Sequence, residues 1–127
     1  LLLGGRPGDG PCEYPATILD HVVPGVPAYS EELFGPVASI IRAADDNDAI
    51  RIANDTAFGL AASIWTEDKT KGEALARKIQ AGAVFINALV RSDVRLPFGG
   101  TKTSGFGREL AEHGIHEFMN IKTVYVD

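Results

Sequence analysis

Short apolar runs alternate with helix-like polar stretches along this chain, and that alternation limits what it can fold into. Tyr14 to Val23, Val37 to Arg42, Leu60 to Thr66 and Ala83 to Ala88 read as strands, the second and the last of them buried. Between them, Asp45 to Asn54 and Lys69 to Gln80 read as helices. Asp45-Asp46-Asn47-Asp48 offers N-cap side chains and acidic residues for the positive end of the first. Ala49, Ile50, Ile52 and Ala53 supply its apolar face. In the second, Leu75 and Ile79 stand four apart on one face, and Gly82 marks the stop. This order, with short connections, predicts an α/β fold with a mostly parallel sheet covered by helices.

The ends and the long loop are less regular. Residues 1–13 read as a strand end followed by a Gly/Pro-rich loop. Pro15 confines the next strand to an edge or a strand start, and Pro24, Gly25 and Pro27 break it. Ser30 is a candidate N-cap for a short turn over Glu31 and Glu32. Arg91 to Gly107 is a long loop carrying Gly99, Gly100, Gly105 and Gly107. Loops of that length are functional or disordered. A helix is expected from Arg108 to Phe118. Ile121 to Val126 then alternates as a strand, with Ile121, Thr123 and Tyr125 on one face.

Composition removes several function classes. The 127 residues carry 12 basic and 17 acidic side chains, a formal net charge of −5, which argues against a general nucleic-acid binder. At 45% hydrophobic the chain is too apolar for a disordered protein and long enough to bury a core. No apolar run approaches the roughly 18 residues of a membrane helix. The lone Cys12 excludes an internal disulfide framework and a cysteine-built zinc site. The start at Leu1, without Met and without a signal peptide's basic flank, leads us to expect a piece of a longer protein.

Several familiar patterns fail on inspection. Gly105-Phe106-Gly107-Arg108-Glu109-Leu110 lacks the third glycine of a dinucleotide fingerprint and follows a loop instead of a strand. Gly99-Gly100-Thr101-Lys102-Thr103 has the wrong spacing for a triphosphate loop. A free-standing nucleotide-binding domain therefore has no phosphate loop to rest on. His113 and His116 stand three apart without further ligands at a metal-binding spacing. Nothing beside Cys12 would generate a thiolate, so it reads as a structural cysteine. Glu31-Glu32-Leu33-Phe34-Gly35-Pro36-Val37 has two readings. A carboxylate and a phenyl ring there suit a ribose and a flat heterocycle. The plainer alternative is a turn followed by a core Phe.

Four blocks, in order and in register, carry a resemblance. Glu31 to Val37 is the first and Ala53-Asn54-Asp55-Thr56-Ala57-Phe58-Gly59-Leu60-Ala61-Ala62 the second. Gly82-Ala83-Val84-Phe85-Ile86-Asn87 and Pro97-Phe98-Gly99-Gly100-Thr101-Lys102-Thr103-Ser104-Gly105-Phe106-Gly107-Arg108-Glu109 follow. Together they resemble the C-terminal region of the NAD(P)-dependent aldehyde dehydrogenase superfamily over essentially the whole chain. Arg91-Ser92-Asp93-Val94-Arg95 and Ser104-Gly105-Phe106-Gly107-Arg108-Glu109-Leu110 look most like the bacterial succinate-semialdehyde dehydrogenases.

The resemblance implies that residues 1–119 are part of a catalytic domain and 120–127 an oligomerisation strand pairing with another subunit. It implies an oxidation of an aldehyde, succinic semialdehyde first, to the acid with NAD or NADP. In that family a cysteine thiolate attacks the aldehyde, hydride leaves for the nicotinamide, and a glutamate-activated water hydrolyses the thioester. The matching nucleophile, general base and oxyanion-hole asparagine fall outside these residues, and Cys12 does not match the nucleophile. Glu32 matches the glutamate that binds the nicotinamide ribose, and Phe34 the aromatic beside the ring. Phe98 matches a wall of the substrate tunnel. Glu109 matches a carboxylate supporting the general base through a proton relay, and Arg108 a structural arginine near the subunit interface. Ser92 and Arg91 lie where a substrate carboxylate is met. A soluble homo-oligomer in the cytoplasm is implied as well, with a small aldehyde as substrate and neither nucleic acid nor membrane as partner. Two alternatives stand beside this: a catalytically silent folding or assembly module, and an aldehyde dehydrogenase of other specificity.

Overall fold

The computed structural model describes all residues from Leu1 to Asp127, in two units, Leu1–Thr56 and Ala57–Asp127. In the first, β1 (Thr17–Leu19) pairs in parallel with β2 (Val37–Ser39), Thr17 opposite Val37. The short helix α1 (Pro27–Ser30) lies in the crossover between them. Backbone bonds from Ile40 N–H to Leu19 and from Val22 N–H to Ile40 prolong the ladder past both strands. Leu3 adds a single antiparallel bridge to Ile18, so residues 1–13 are mostly loop, as expected. Thr17, 3% exposed, satisfies its hydroxyl by accepting from Gly5 N–H at 2.9 Å and donating to the Pro15 carbonyl at 3.1 Å.

Helix α2 (Asp46–Asn54) follows. Its start is the one read from sequence: the Asp45 carboxylate accepts from Asp48 N–H at 2.9 Å, and Asp48 reaches back to Ala44 N–H at 3.0 Å. This reciprocal cap satisfies two amides the helix cannot use itself. Ser30, expected to begin a turn, ends one. Pro27 opens α1 because its fixed φ suits a first helical position.

In the second unit, β3 (Ala61–Ile64) and β4 (Ala83–Ile86) run parallel, with Ala61 opposite Ala83 and Ile64 opposite Ile86. Helix α3 (Lys69–Ala76) makes the crossover and packs on β4. A Cβ on its buried Gly72 would meet methyls of Ile86 and Thr66 at 3.0 Å, so glycine is what lets helix and strand approach. The helix stops four residues before the expected Gln80. Lys78 and Ile79 bond back three residues, to Leu75 and Ala76, which tightens the last turn and ends it.

Three expectations need correction. The strands expected to be buried, Val37 to Arg42 and Ala83 to Ala88, are shorter than expected, and β4 is half-buried while Ala38 and Ser39 of β2 are exposed. The core is thin: Val22, 8% exposed, is the one buried hydrophobic residue. The last helix, α4 (Ala111–His116), starts three residues late because Glu109 is held in a backbone pair and Leu110 turns to φ +66°. Residues 120–127 form no strand in the single chain, where β1 pairs with β2 and β3 with β4 and neither sheet takes them up. No helix is long and apolar enough to cross a membrane.

Candidate active site

The Gly-rich loop is ordered by hydrogen bonds to a segment more than forty residues away. Thr101 N–H and hydroxyl both donate to the Gly59 carbonyl, at 2.9 and 3.2 Å. Gly59 N–H donates to the Ser104 hydroxyl at 2.9 Å, and Thr103 binds the Ala57 carbonyl through its backbone and its hydroxyl. Gly82 N–H adds a third donor to Gly59 at 3.0 Å. A short 3₁₀ turn, Lys102–Ser104, sits at the centre of this knot. The chain enters it at Phe98 and leaves it at Glu109.

Those two residues face each other. Phe98 N–H donates to the Glu109 carbonyl and Glu109 N–H to the Phe98 carbonyl, each at 2.8 Å. Arg108 holds the returning strand of the loop by donating to the carbonyls of Gly100, at 2.9 Å, and Gly107, at 2.6 Å. Lys102, in the 3₁₀ turn, and Leu110 and Ala111, directly after Glu109, take positive φ, a backbone state that persists only where its surroundings enforce it. Phe98 and Glu109 share a groove of about 350 Å³ with Leu60, Ser104 and Phe118.

Phe98 also borders a second groove, of about 420 Å³, whose wall includes Arg91, Asp93 and Leu96. Arg91 and Phe98 are therefore brought together. Ser92 is exposed in the same loop but does not line the groove. Asp93 is gripped by Arg95, whose Nε and Nη2 donate to its two oxygens at 2.9 and 2.6 Å. That guanidinium holds the Asp93 carboxyl well below the usual carboxylate range.

In the first unit, Leu33 to Val37 turns twice in succession. Gly35 N–H bonds the Leu33 carbonyl and Val37 N–H the Gly35 carbonyl, both at 2.8 Å. These three-residue turns throw Phe34 outward, 95% exposed, so it is not the core residue that the plainer reading offered. Glu32 is exposed just before it, and no hydrogen bond engages its carboxylate. Glu32 does not line the groove that Phe34 borders, so the structure leaves the two residues exposed and two apart in the chain, a carboxylate for ribose hydroxyls and an aromatic face for a flat ring. Phe34 lines a groove of about 510 Å³ with Tyr14, Leu33, Pro36 and the exposed Cys12 thiol.

The loop-stitching residues Thr101, Thr103 and Ser104 were not singled out from sequence as site residues. Their signal was present only as hydroxyls clustered among glycines.

The sequence model described as the aldehyde dehydrogenase family matches residues 1–124. The chain is 52% identical over 124 residues to a succinate-semialdehyde dehydrogenase named for NADP(+) from Mycobacterium ulcerans, covering 97% of this chain and 27% of that protein. It is 50% identical over 128 residues to the Escherichia coli K12 succinate semialdehyde dehydrogenase Sad, named for NAD(P)+, covering 100% of this chain and 28% of that one. Among solved structures, the Streptococcus pyogenes succinic semialdehyde dehydrogenase in complex with NADP+ superposes with a TM-score of 0.90 at 38% identity, over 98% of this chain and 28% of that one. The chain thus spans little more than a quarter of the length of the relatives it matches.

Proposed function

The chain belongs to the aldehyde dehydrogenase family, and from that premise we propose that it forms the C-terminal part of an enzyme oxidising succinic semialdehyde to succinate with NAD or NADP. Residues 1–119 are then part of the catalytic domain and 120–127 the assembly strand. The observation that carries this reading is the closed Phe98–Glu109 pair at the mouth of the stitched loop. The pair joins two residues that line one groove, an aromatic and a carboxylate, which supports a site that encloses an aldehyde and moves a proton. The semialdehyde specificity is supported by the relatives' names and by the cation at Arg91.

Each residue has a task in this reading. Glu32 accepts the ribose hydroxyls and Phe34 packs beside the nicotinamide. When bound, NAD or NADP supplies the hydride acceptor. Phe98 excludes water from the reacting carbon while the aldehyde is held. Glu109 holds and passes the proton that the general base takes from the hydrolytic water. Arg91 meets the distal carboxylate of the substrate as a charge-assisted partner, and Ser92 adds a hydroxyl there. The nucleophilic cysteine and the general base lie outside these 127 residues.

Rapid-mixing assays of the full-length protein with succinic semialdehyde test this. Wild type is expected to turn over steadily. Glu109→Gln is expected to release one equivalent of reduced cofactor quickly and then continue about tenfold to a hundredfold more slowly, since only the hydrolytic half-reaction loses its relay. Slowing of the first equivalent by the same factor contradicts the relay. A second reading takes the 127 residues alone as a catalytically silent folding or assembly module, since their one cysteine, Cys12, does not match the family's nucleophile. Aldehyde turnover by that isolated chain would refute it.

A further inference from the structure

The segment before Phe98 holds two arginines and one aspartate within five residues, and the structure treats the arginines differently. Asp93 and Arg95 close a tight local unit. Arg95 N–H donates to Asp93 Oδ1 at 3.0 Å, its guanidinium takes both carboxylate oxygens, and Leu96 N–H binds the Asp93 carbonyl at 2.9 Å. Ala111 N–H anchors the same turn through the Val94 carbonyl at 3.1 Å. The Asp93 side chain is 23% exposed and that of Arg95 82%, so the carboxylate sits inward with the guanidinium capping it from solvent. Asp93 itself forms part of the groove wall that Arg91 and Phe98 share. Arg91 has neither a hydrogen bond nor an ion pair, and its charge acts on Asp93 only as the weakest of the influences there, behind the Arg95 hydrogen bonds.

We infer that Arg95 is a positioning residue that keeps Asp93 from neutralising Arg91, and thereby sets the preference of this groove for a carboxylate-bearing aldehyde over a neutral one. The argument is one of charge placement. A bare carboxylate at Asp93 would face the groove, repel an anionic substrate and compete for Arg91. With Arg95 forked onto it, Asp93 is compensated, and the positive charge left over in the groove is that of Arg91. The inference rests on the proposed meeting of Arg91 with the substrate carboxylate.

The test compares kcat/KM for succinic semialdehyde with that for butanal in the full-length protein, for Arg91→Gln, Arg95→Gln and Arg95→Gln with Asp93→Asn. Arg95→Gln is expected to lower the ratio about fivefold, as befits a solvent-accessible charge. The loss shrinks as salt is added. Removing Asp93 as well restores the ratio to within about twofold of wild type, because the two substitutions act through one pair. A fall in both aldehydes together with an unmoved ratio, or a double variant that does not recover, overturns the inference while Arg91→Gln still lowers the ratio. An unmoved ratio in Arg91→Gln overturns the carboxylate reading and the inference with it.

Discussion

A Cβ on Gly82 would fall onto the carbonyl carbon and oxygen of Gly99, and one on Gly59 would press on Thr101 and the Gln80 carbonyl. These glycines are absences of side chain that let three stretches of chain touch. Gly82→Ala must push the Gly99 carbonyl aside, so it is expected to cost about 1–3 kcal/mol in denaturant unfolding. An alanine variant as stable as wild type contradicts the close approach. The four sequence blocks that carry the family resemblance include Gly59, Gly82, Thr101 and Ser104, but their spacing does not say why. The reason is contact between residues 17 to 46 apart in sequence, a pairing that no local pattern encodes. Glu109 and Phe98 were legible as candidates through the same blocks. That their backbones bond each other came only from the structure. Phe34 shows the converse: an aromatic before a Gly-Pro step reads equally well as core, and only the two consecutive tight turns decide for the surface.

At the level of elements, the α2 cap was readable because its partners are three or four residues apart. Strand lengths and helix ends were not, since they depend on what lies alongside. The β1–β2 pair is clamped at its ends by Asp20 and Arg42, which meet through two bonds of 2.9 and 2.6 Å, the Asp20 side chain only 9% exposed. The two stand 22 residues apart, so no local pattern couples them. Arg42, with the His21 amide, lowers the Asp20 pKa from 3.8 to about 2. A carboxyl whose folded pKa lies below its unfolded one stabilises fully above the unfolded value, and that contribution disappears as pH falls through the folded value. The window here runs from about pH 4 down to about pH 2. Asp20→Asn is therefore expected to be less stable than wild type at neutral pH, with the gap closing across that window. Urea midpoints of both proteins along a pH series check it, and a gap that stays constant down to pH 2 contradicts the clamp.

Over the whole molecule, apolar surface is left open in quantity. Ile121, Val124, Tyr125 and Val126 are 89, 78, 82 and 84% exposed in a segment with no ladder of its own. An alternating apolar segment without a partner is an invitation to pairing. We expect the full-length protein to run as a dimer or tetramer by light scattering, and deletion of residues 121–127 to shift it toward single subunits. An unchanged mass after that deletion contradicts the assembly role. The α/β order of the chain was legible from alternation alone, whereas the thin core was not, because burial depends on neighbours outside the local pattern. The central proposal concerns chemistry, that Glu32 and Phe34 serve the cofactor of an aldehyde oxidation. Its most direct test is the single-turnover rate of reduced-cofactor formation from succinic semialdehyde, wild type against Glu32→Gln. Losing a carboxylate's hydrogen bonds to the ribose is expected to slow that step about tenfold to a hundredfold. An unchanged rate in the variant, or no cofactor reduction by the wild-type protein, would contradict the account.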